Sequence, residues 1–284
     1  MIKEWIDSYK PKNVQQTEQA LREIMQEIAL SGLQRADFFN HAAFYGGTAL
    51  RIFHGLNRFS EDLDFSLLKK EPDFEFGPYF DAIIAEFASV GIKVSLTQKM
   101  KSAISHVDSA FLRSDTSWNE LVFENTIPQI NLSFKPIIKI KLEIDTHPPL
   151  GFRTENLLLT KPFSFYVNCF TLPDLFAGKM HVLLFRKWNN RVKGRDWYDL
   201  EWYLKKGVEV NLVHFCQRAS ESNDWEGDAI SKEQLIDLLK QRIASVNFEN
   251  IKEDIVRFIP NPEVLNIWSA AYFSTLAERI KVSP

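Results

Sequence analysis

The sequence predicts a mixed α/β (α+β) fold: a mixed sheet with flanking helices over residues 1–170, then a helical half over residues 171–284. Three observations predict it. Ile138-Lys139-Ile140-Lys141-Leu142-Glu143-Ile144-Asp145 alternates apolar and charged residues with the period of a strand. Amphipathic runs such as Thr17 to Ile28, with Leu21, Ile24, Met25 and Ile28 on one face, carry the helical period. From Thr171 onward the apolar spacing is almost entirely helical.

Each element follows from a local signal. The helix through Thr17–Ile28 meets a stop at Ser31-Gly32. His41–Tyr45 is a short apolar run ending at Gly46-Gly47, and Thr48–His54 opens as a helix directly after the glycines. Leu63–Leu67 alternates as a strand, Asp81–Val90 reads as a helix and Ile92–Leu96 as a strand. Ile130–Phe134 and Ile137–Asp145 are strands, broken afterwards by Pro148-Pro149 and Gly151. Phe163–Cys169 closes the first half as a last strand. Thr171-Leu172-Pro173-Asp174 has the form of a capping box before a long helix. Further helices fall at Asp196–Lys206, Leu212–Arg218, Ser231–Ser245, Ile251–Phe258 and Pro262–Ile280.

Composition narrows the function classes. The 284 residues carry 34 Lys and Arg against 37 Asp and Glu, for a net charge of −3, and 45% are apolar. Those are the fractions of a folded globule and exclude global disorder. There is no unbroken apolar run of about eighteen residues, so no transmembrane helix is expected, and the opening MIKEWIDSYK lacks the apolar core of a secretory signal. Cys169 and Cys216 stand far apart, so neither a disulfide framework nor a zinc cluster is expected, and a reducing cytoplasm is the expected compartment. A near-neutral chain does not coat nucleic acid by charge alone, although a local basic groove is compatible with it. The 23 Phe, 7 Trp and 7 Tyr read chiefly as core filling, some of them as surfaces for stacking bases.

Candidate chemistry lies in four places. Tyr45-Gly46-Gly47-Thr48-Ala49-Leu50 joins an apolar run to a helix through two glycines and a hydroxyl, which lets backbone N–H groups approach a phosphate. A tight turn without a ligand has the same form. In Arg58-Phe59-Ser60-Glu61-Asp62-Leu63-Asp64-Phe65 the two aspartates, spaced by two, share one face of a strand. Side by side they stay ionised where a cation sits between them, and Mg²⁺ favours carboxylate oxygen together with substrate phosphate. A solvent-facing edge strand is the plain alternative. Two-metal phosphoryl transfer needs a third carboxylate. Glu143 or Asp145, on the polar face of the 137–145 strand, can supply it, with Glu143 favoured of the two; a solvated face with cross-strand charge pairs is the equal alternative.

In the helix after Thr171, Leu172, Leu175, Phe176 and Leu183 form an apolar stripe with Lys179 in its middle. That ammonium either snorkels to water or meets an anion such as a triphosphate oxygen. Arg186, Lys187, Arg191, Lys193 and Arg195 form a basic run suited to a nucleotide or an RNA backbone, or to a solvated loop. Arg195-Asp196-Trp197-Tyr198-Asp199-Leu200 then opens a helix whose two aspartates, three apart, share a face and suit the first-turn dipole.

Taken in order, Gly46-Gly47-Thr48-Ala49-Leu50-Arg51, Arg58 to Phe65, the apolar-flanked Lys179 and Arg195 to Leu200 resemble the AbiEii/AbiGii toxin family, from about Phe44 to Leu200. These are nucleotidyltransferase-like proteins of bacterial abortive-infection and type IV toxin–antitoxin systems, with the MenT toxins as relatives. The resemblance implies a nucleotidyltransferase-like fold and an Mg²⁺-dependent enzyme moving a nucleotide from an NTP to an acceptor hydroxyl with release of pyrophosphate. By the same resemblance Gly46, Gly47 and Thr48 form the nucleotide-side motif, commonly Gly-Ser in this fold, with Arg58 and Ser60 as support or phosphate contact. Asp62 and Asp64 would be the metal pair, Glu143 or Asp145 the third acidic position, with Asp145 also a metal ligand. Lys179 would steady the triphosphate, Asp196 would form the last acidic motif, and Arg186, Arg191, Lys193 and Arg195 would line the acceptor groove. The implied acceptor is the 3′ end of a tRNA, and the implied outcome growth arrest held off by a separately encoded antitoxin. Two other readings stay open: transfer to a protein or to a small molecule such as an antibiotic, and a catalytically silent module that holds nucleotide or RNA.

Overall fold

Alternation along Lys139–Asp145 becomes burial in three dimensions: Ile140, Leu142 and Ile144 are wholly buried, while Lys141, Glu143 and Asp145 between them stay partly exposed. The computed structural model of the chain describes residues 2–99, 107–114, 138–186, 193–227 and 229–283. The strand expected at 130–134 lies outside the described residues. The chain folds as two compact units that interleave in sequence. Met1–Thr48, Ser60–Pro148 and Asn156–Cys169 make the first, and Ala49–Phe59, Pro149–Glu155 and Phe170–Pro284 the second. Where the sequence places one boundary near residue 170, the chain passes between the units repeatedly.

A seven-stranded mixed sheet organises the first unit. Its strands are β1 (Ala42–Tyr45), β2 (Leu63–Leu67), β3 (Val94–Lys99), β4 (Val107–Ser114), β5 (Lys139–Asp145), β6 (Thr154–Leu159) and β7 (Phe165–Phe170), in the order β3-β4-β5-β2-β1-β7-β6. β2 runs antiparallel to β1 and parallel to β5, which brings Asp64 level with Tyr45 on one side and with Glu143 on the other. Beneath it, Phe38, Phe44, Phe65 and Phe76 are wholly buried, with Phe38 and Phe65 edge to face at 5.0 Å, so these aromatics fill the core.

The first unit holds α1 (Ile2–Ser8) and α2 (Val14–Arg35), and the helix α3 (Gly46–His54) opens from its glycines there, while its residues from Ala49 onward belong to the second unit. Asn13 caps α2 by accepting from Gln16 N–H. The stop expected at Ser31-Gly32 does not occur. α2 continues to Arg35, and Gly32 instead lets α4 (Phe80–Ser89) cross closely, since a Cβ there would lie 2.7 Å from Ile83 Cα.

Helices dominate the second unit: α5 (Leu172–Phe185), α6 (Gly194–Lys206), α7 (Leu212–Glu221), α8 (Lys232–Ala244), α9 (Phe248–Ile255) and α10 (Ala270–Ala277). Gly207, at φ +69°, ends α6 in the left-handed conformation that suits glycine at that position. The box expected at Thr171 does not form. The Thr171 hydroxyl donates instead to the Asp174 carboxylate, which also accepts from Asn211 and Arg153, so no side-chain cap reaches the backbone. The long helix expected over 262–280 is broken into a 3-10 turn, Pro262–Leu265, and α10. Asn261 and Ser269 each accept from the backbone two or three residues on, and these local caps start two elements where apolar spacing suggested one. A short parallel pair, β8 (Glu209–Asn211) with β9 (Lys281–Ser283), was not legible from three-residue segments.

Candidate active site

The glycine turn of the first unit is built around Asp64. Gly46 ends β1 at φ +84°, a conformation open to glycine, and a Cβ at that position would fall 2.5 Å from Asp64 Oδ2. Thr48, two residues later, is wholly buried, and its hydroxyl donates to the carbonyl oxygen of Asp62 at 2.5 Å. The Thr48 hydroxyl therefore ties the turn to the residue just before β2. Nearby, the carbonyl of Ser60 accepts from Gln26 Nε2 at 3.2 Å, which fixes the approach to the aspartates from α2.

Sequence spacing and strand register together gather the carboxylates. Asp64 lies in β2 and Asp62 just before its first residue, and both are half-buried. Parallel pairing sets Asp64 against Glu143 and Ser66 against Asp145, so Glu143 and Asp145 lie on the same face as Asp64, on the neighbouring strand. Glu143 accepts from Lys141 Nζ at 2.5 Å, whereas Asp145 accepts from the backbone N–H of His147 at 2.9 Å in a local turn. A set made only of carboxylate oxygens suits a hard dication such as Mg²⁺, which is bound through one or two carboxylates plus substrate phosphate. Among the described residues, no three His, Cys, Asp or Glu side chains are gathered as a ready-made metal cluster.

In the second unit Lys179 has its anionic partners at hand. Its Nζ lies 2.8 Å from Asp196 Oδ1 and 2.8 Å from Asp199 Oδ2. Arg58, expected as support or as a phosphate contact, engages Asp199 with its guanidinium through two bonds of 2.6 and 2.7 Å. Burial opposes charge on all of them, yet the carboxylates outweigh it and hold the Arg58 and Lys179 pKa values above their ordinary ones, while the two cations hold Asp199 below its own. Asp199 is the residue that reasoning from the sequence undervalued. It stands 141 positions from Arg58, and no local pattern links the two.

Part of the basic run closes up beside this group. Burial, then the charges of Arg195 and Arg186, push the Lys193 ammonium down. Arg195 also lies over the Phe258 ring at 4.4 Å. Arg191 and Lys187 lie outside the described residues.

Residues 28–278 match the family model of the nucleotidyl transferase AbiEii toxins of type IV toxin–antitoxin systems. The chain belongs to the AbiEii family. As an AbiEii protein it is a nucleotidyltransferase, with an NTP as substrate and an antitoxin as the partner of its system. No curated protein sequence matches it. Solved structures agree in fold with this AbiEii chain. The nucleotidyltransferase toxin MenT4 of Mycobacterium tuberculosis H37Rv superposes at a TM-score of 0.57 with 15% identity, over 98% of this chain and 88% of that one. JHP933 of Helicobacter pylori superposes at 0.52 with 16% identity, over 92% and 90%. Among the described residues of this AbiEii chain, no helix is long and apolar enough to cross a membrane.

Proposed function

We propose that the chain is an Mg²⁺-dependent nucleotidyltransferase whose acceptor is the 3′-terminal hydroxyl of a tRNA, that it acts in the cytoplasm, and that the blocked tRNA arrests growth unless a separately encoded antitoxin intervenes. The observation that carries this reading is the register of β2 on β5, which sets Glu143 level with Asp64 beside the glycine turn.

Asp62 and Asp64 would hold Mg²⁺, with Asp145 as a further oxygen donor. When bound, the ion would neutralise charge on the triphosphate and orient its α-phosphate. The backbone N–H groups of Gly46, Gly47 and Thr48, at the start of α3, would bind phosphate oxygens. In the second unit, Lys179 would take a triphosphate oxygen. Arg186, Arg191, Lys193 and Arg195 would contact phosphates of the acceptor. Glu143 would receive the proton of the acceptor hydroxyl. The acceptor oxygen then forms its bond to the α-phosphorus, the bond from that phosphorus to the bridging oxygen breaks, and pyrophosphate leaves with the electron pair.

The test incubates the protein with each α-³²P-labelled NTP, Mg²⁺ and total bacterial tRNA, beside Asp64→Ala. Label should enter tRNA with one or more nucleotides and fail to do so in the variant. Label that remains in free NTP, with a correctly folded wild-type chain, would overturn the tRNA assignment and turn attention to protein or small-molecule acceptors.

A further inference from the structure

Four charged side chains of the second unit form one run of ion pairs, in the order Arg58, Asp199, Lys179, Asp196. Two cations balance two carboxylates, yet the members are unequal. Asp199 is wholly buried and both of its oxygens are engaged: Arg58 Nε reaches Oδ1 at 2.6 Å, while Arg58 Nη2 at 2.7 Å and Lys179 Nζ at 2.8 Å share Oδ2. Arg58 is itself buried, and its Nη1 donates to Phe59 O at 3.1 Å. Lys179 and Asp196 are less enclosed, with side chains 17% and 11% exposed.

The two lysine contacts therefore differ in what breaking them entails. Asp196 stands in the first turn of α6, where the helix dipole favours a carboxylate with or without a lysine. Asp199 has no water to replace a lost partner, and an unpaired buried carboxylate is strongly disfavoured. The planar guanidinium, bonded to both oxygens of Asp199, also fixes the rotation of that carboxylate. An ammonium has three donors, and the two aspartates occupy two of them.

We propose that Asp199, oriented by Arg58, is the fixed anchor of Lys179, and that Asp196 is the exchangeable partner Lys179 gives up when it takes an oxygen of the NTP triphosphate. This role rests on the assignment of Lys179 to the triphosphate. Asp199 touches no substrate; it is a positioning residue that acts through Lys179. The charged groups facing Lys179 are Asp196, Asp199, Arg58 and Lys193. With Asp199 neutral, burial and the two neighbouring cations would act on the ammonium against Asp196 alone. Lys179 would then lose its proton at lower pH and hold the triphosphate less well.

Two variants test this. Asp199→Asn removes the anchor's charge. The double variant Arg58→Met with Asp199→Leu removes the buried pair as a whole and fills its volume with apolar atoms, which keeps the unit folded if the single variant does not. The first readout is the pH profile of Lys179 acylation by acetic anhydride in the nucleotide-free protein, followed by mass spectrometry. The second is KM for the NTP against kcat. The midpoint of Lys179 acylation should fall by about one pH unit or more in a folded variant. KM should rise about tenfold, more than kcat falls. A folded variant whose Lys179 midpoint and KM match those of the wild type would reduce Asp199 to a packing role and overturn the proposal. Absence of transfer by the wild-type chain on any NTP would instead refute the functional reading, and the acylation profile would still decide whether Asp199 anchors Lys179.

Discussion

Replacing Gly46 by alanine probes the fit between the glycine turn and β2. At φ +84° the backbone is in the left-handed region, where adding a Cβ costs about 1–2 kcal/mol. That Cβ would lie 2.5 Å from Asp64 Oδ2 and 3.2 Å from Asp64 Cβ and Cγ, where ordinary contact starts at 3.4 Å. The carboxylate must therefore retreat by about 1 Å, and a displacement of that size at a reacting centre costs on the order of 10²-fold in rate. Gly91 supplies the control, because at φ +79° it carries the same backbone strain with nothing within 4 Å of an added Cβ. Transfer of label from an α-³²P NTP is measured for both variants beside their thermal unfolding. Each should lose a few degrees, at about 2–4 °C per kcal/mol for a chain of this size. Only Gly46→Ala should lose transfer. Equal activity in the two variants would refute the argument that Gly46 makes room for the Asp64 carboxylate.

Three further outcomes are expected. Glu143→Gln should abolish transfer while Asp145→Asn retains a measurable fraction, since Glu143 is the residue level with Asp64; the reverse order in single-turnover rates would reassign the third carboxylate. Thr48→Val should cost about 1 kcal/mol by removing the hydroxyl that donates to the Asp62 carbonyl, and Thr48→Ser should restore most of it, read from urea midpoints. Stability should also fall in mild acid. Burial, then the charge of Arg218, lowers the pKa of His214 from 6.5 to about 4, so between those values the unfolded chain binds a proton that the folded chain refuses. That contribution is complete above pH 6.5 and is lost as pH falls through about 4, a change of about 3 kcal/mol. Urea unfolding at pH 7.5 and 4.5 should show His214→Gln to be less acid-sensitive than the wild type; an identical drop in both would exclude His214 as a source.

The sequence exposed what short-range physics decides. β5 was legible because one of its faces is buried, which forces an alternating pattern, and β2 because Leu63, Phe65 and Leu67 recur at a spacing of two even though Ser66 between them is buried as well. The opening of α3 was legible because a strand cannot turn sharply into a helix without a residue such as Gly46. Gly32 misled for the opposite reason: glycine marks either a helix end or a close crossing, and only the position of α4 decides. Pairings between distant segments had no sequence signature at all. Glu143 was favoured over Asp145 with no pairing in view, and only the register on β2 shows that Glu143 is level with Asp64 and Asp145 with Ser66. Likewise Lys179 declared itself as a charge in an apolar stripe, but the identity of its partners depended on where Arg58 and Asp199 met.

The parallel pair of β8 and β9 has a consequence for the way the second unit comes apart. By joining residues 209–211 to residues 281–283, it closes α7 to α10 into a loop fastened at both ends. A tail would fray one helix at a time from its free end. A fastened loop that melts keeps its ends together, and that closure withholds a few kcal/mol of chain entropy, rising as about (3/2)RT ln n, until the ladder itself opens. The strand pair thus adds a modest entropic brake to the opening of α7 to α10, one that is released when its three residue pairs part.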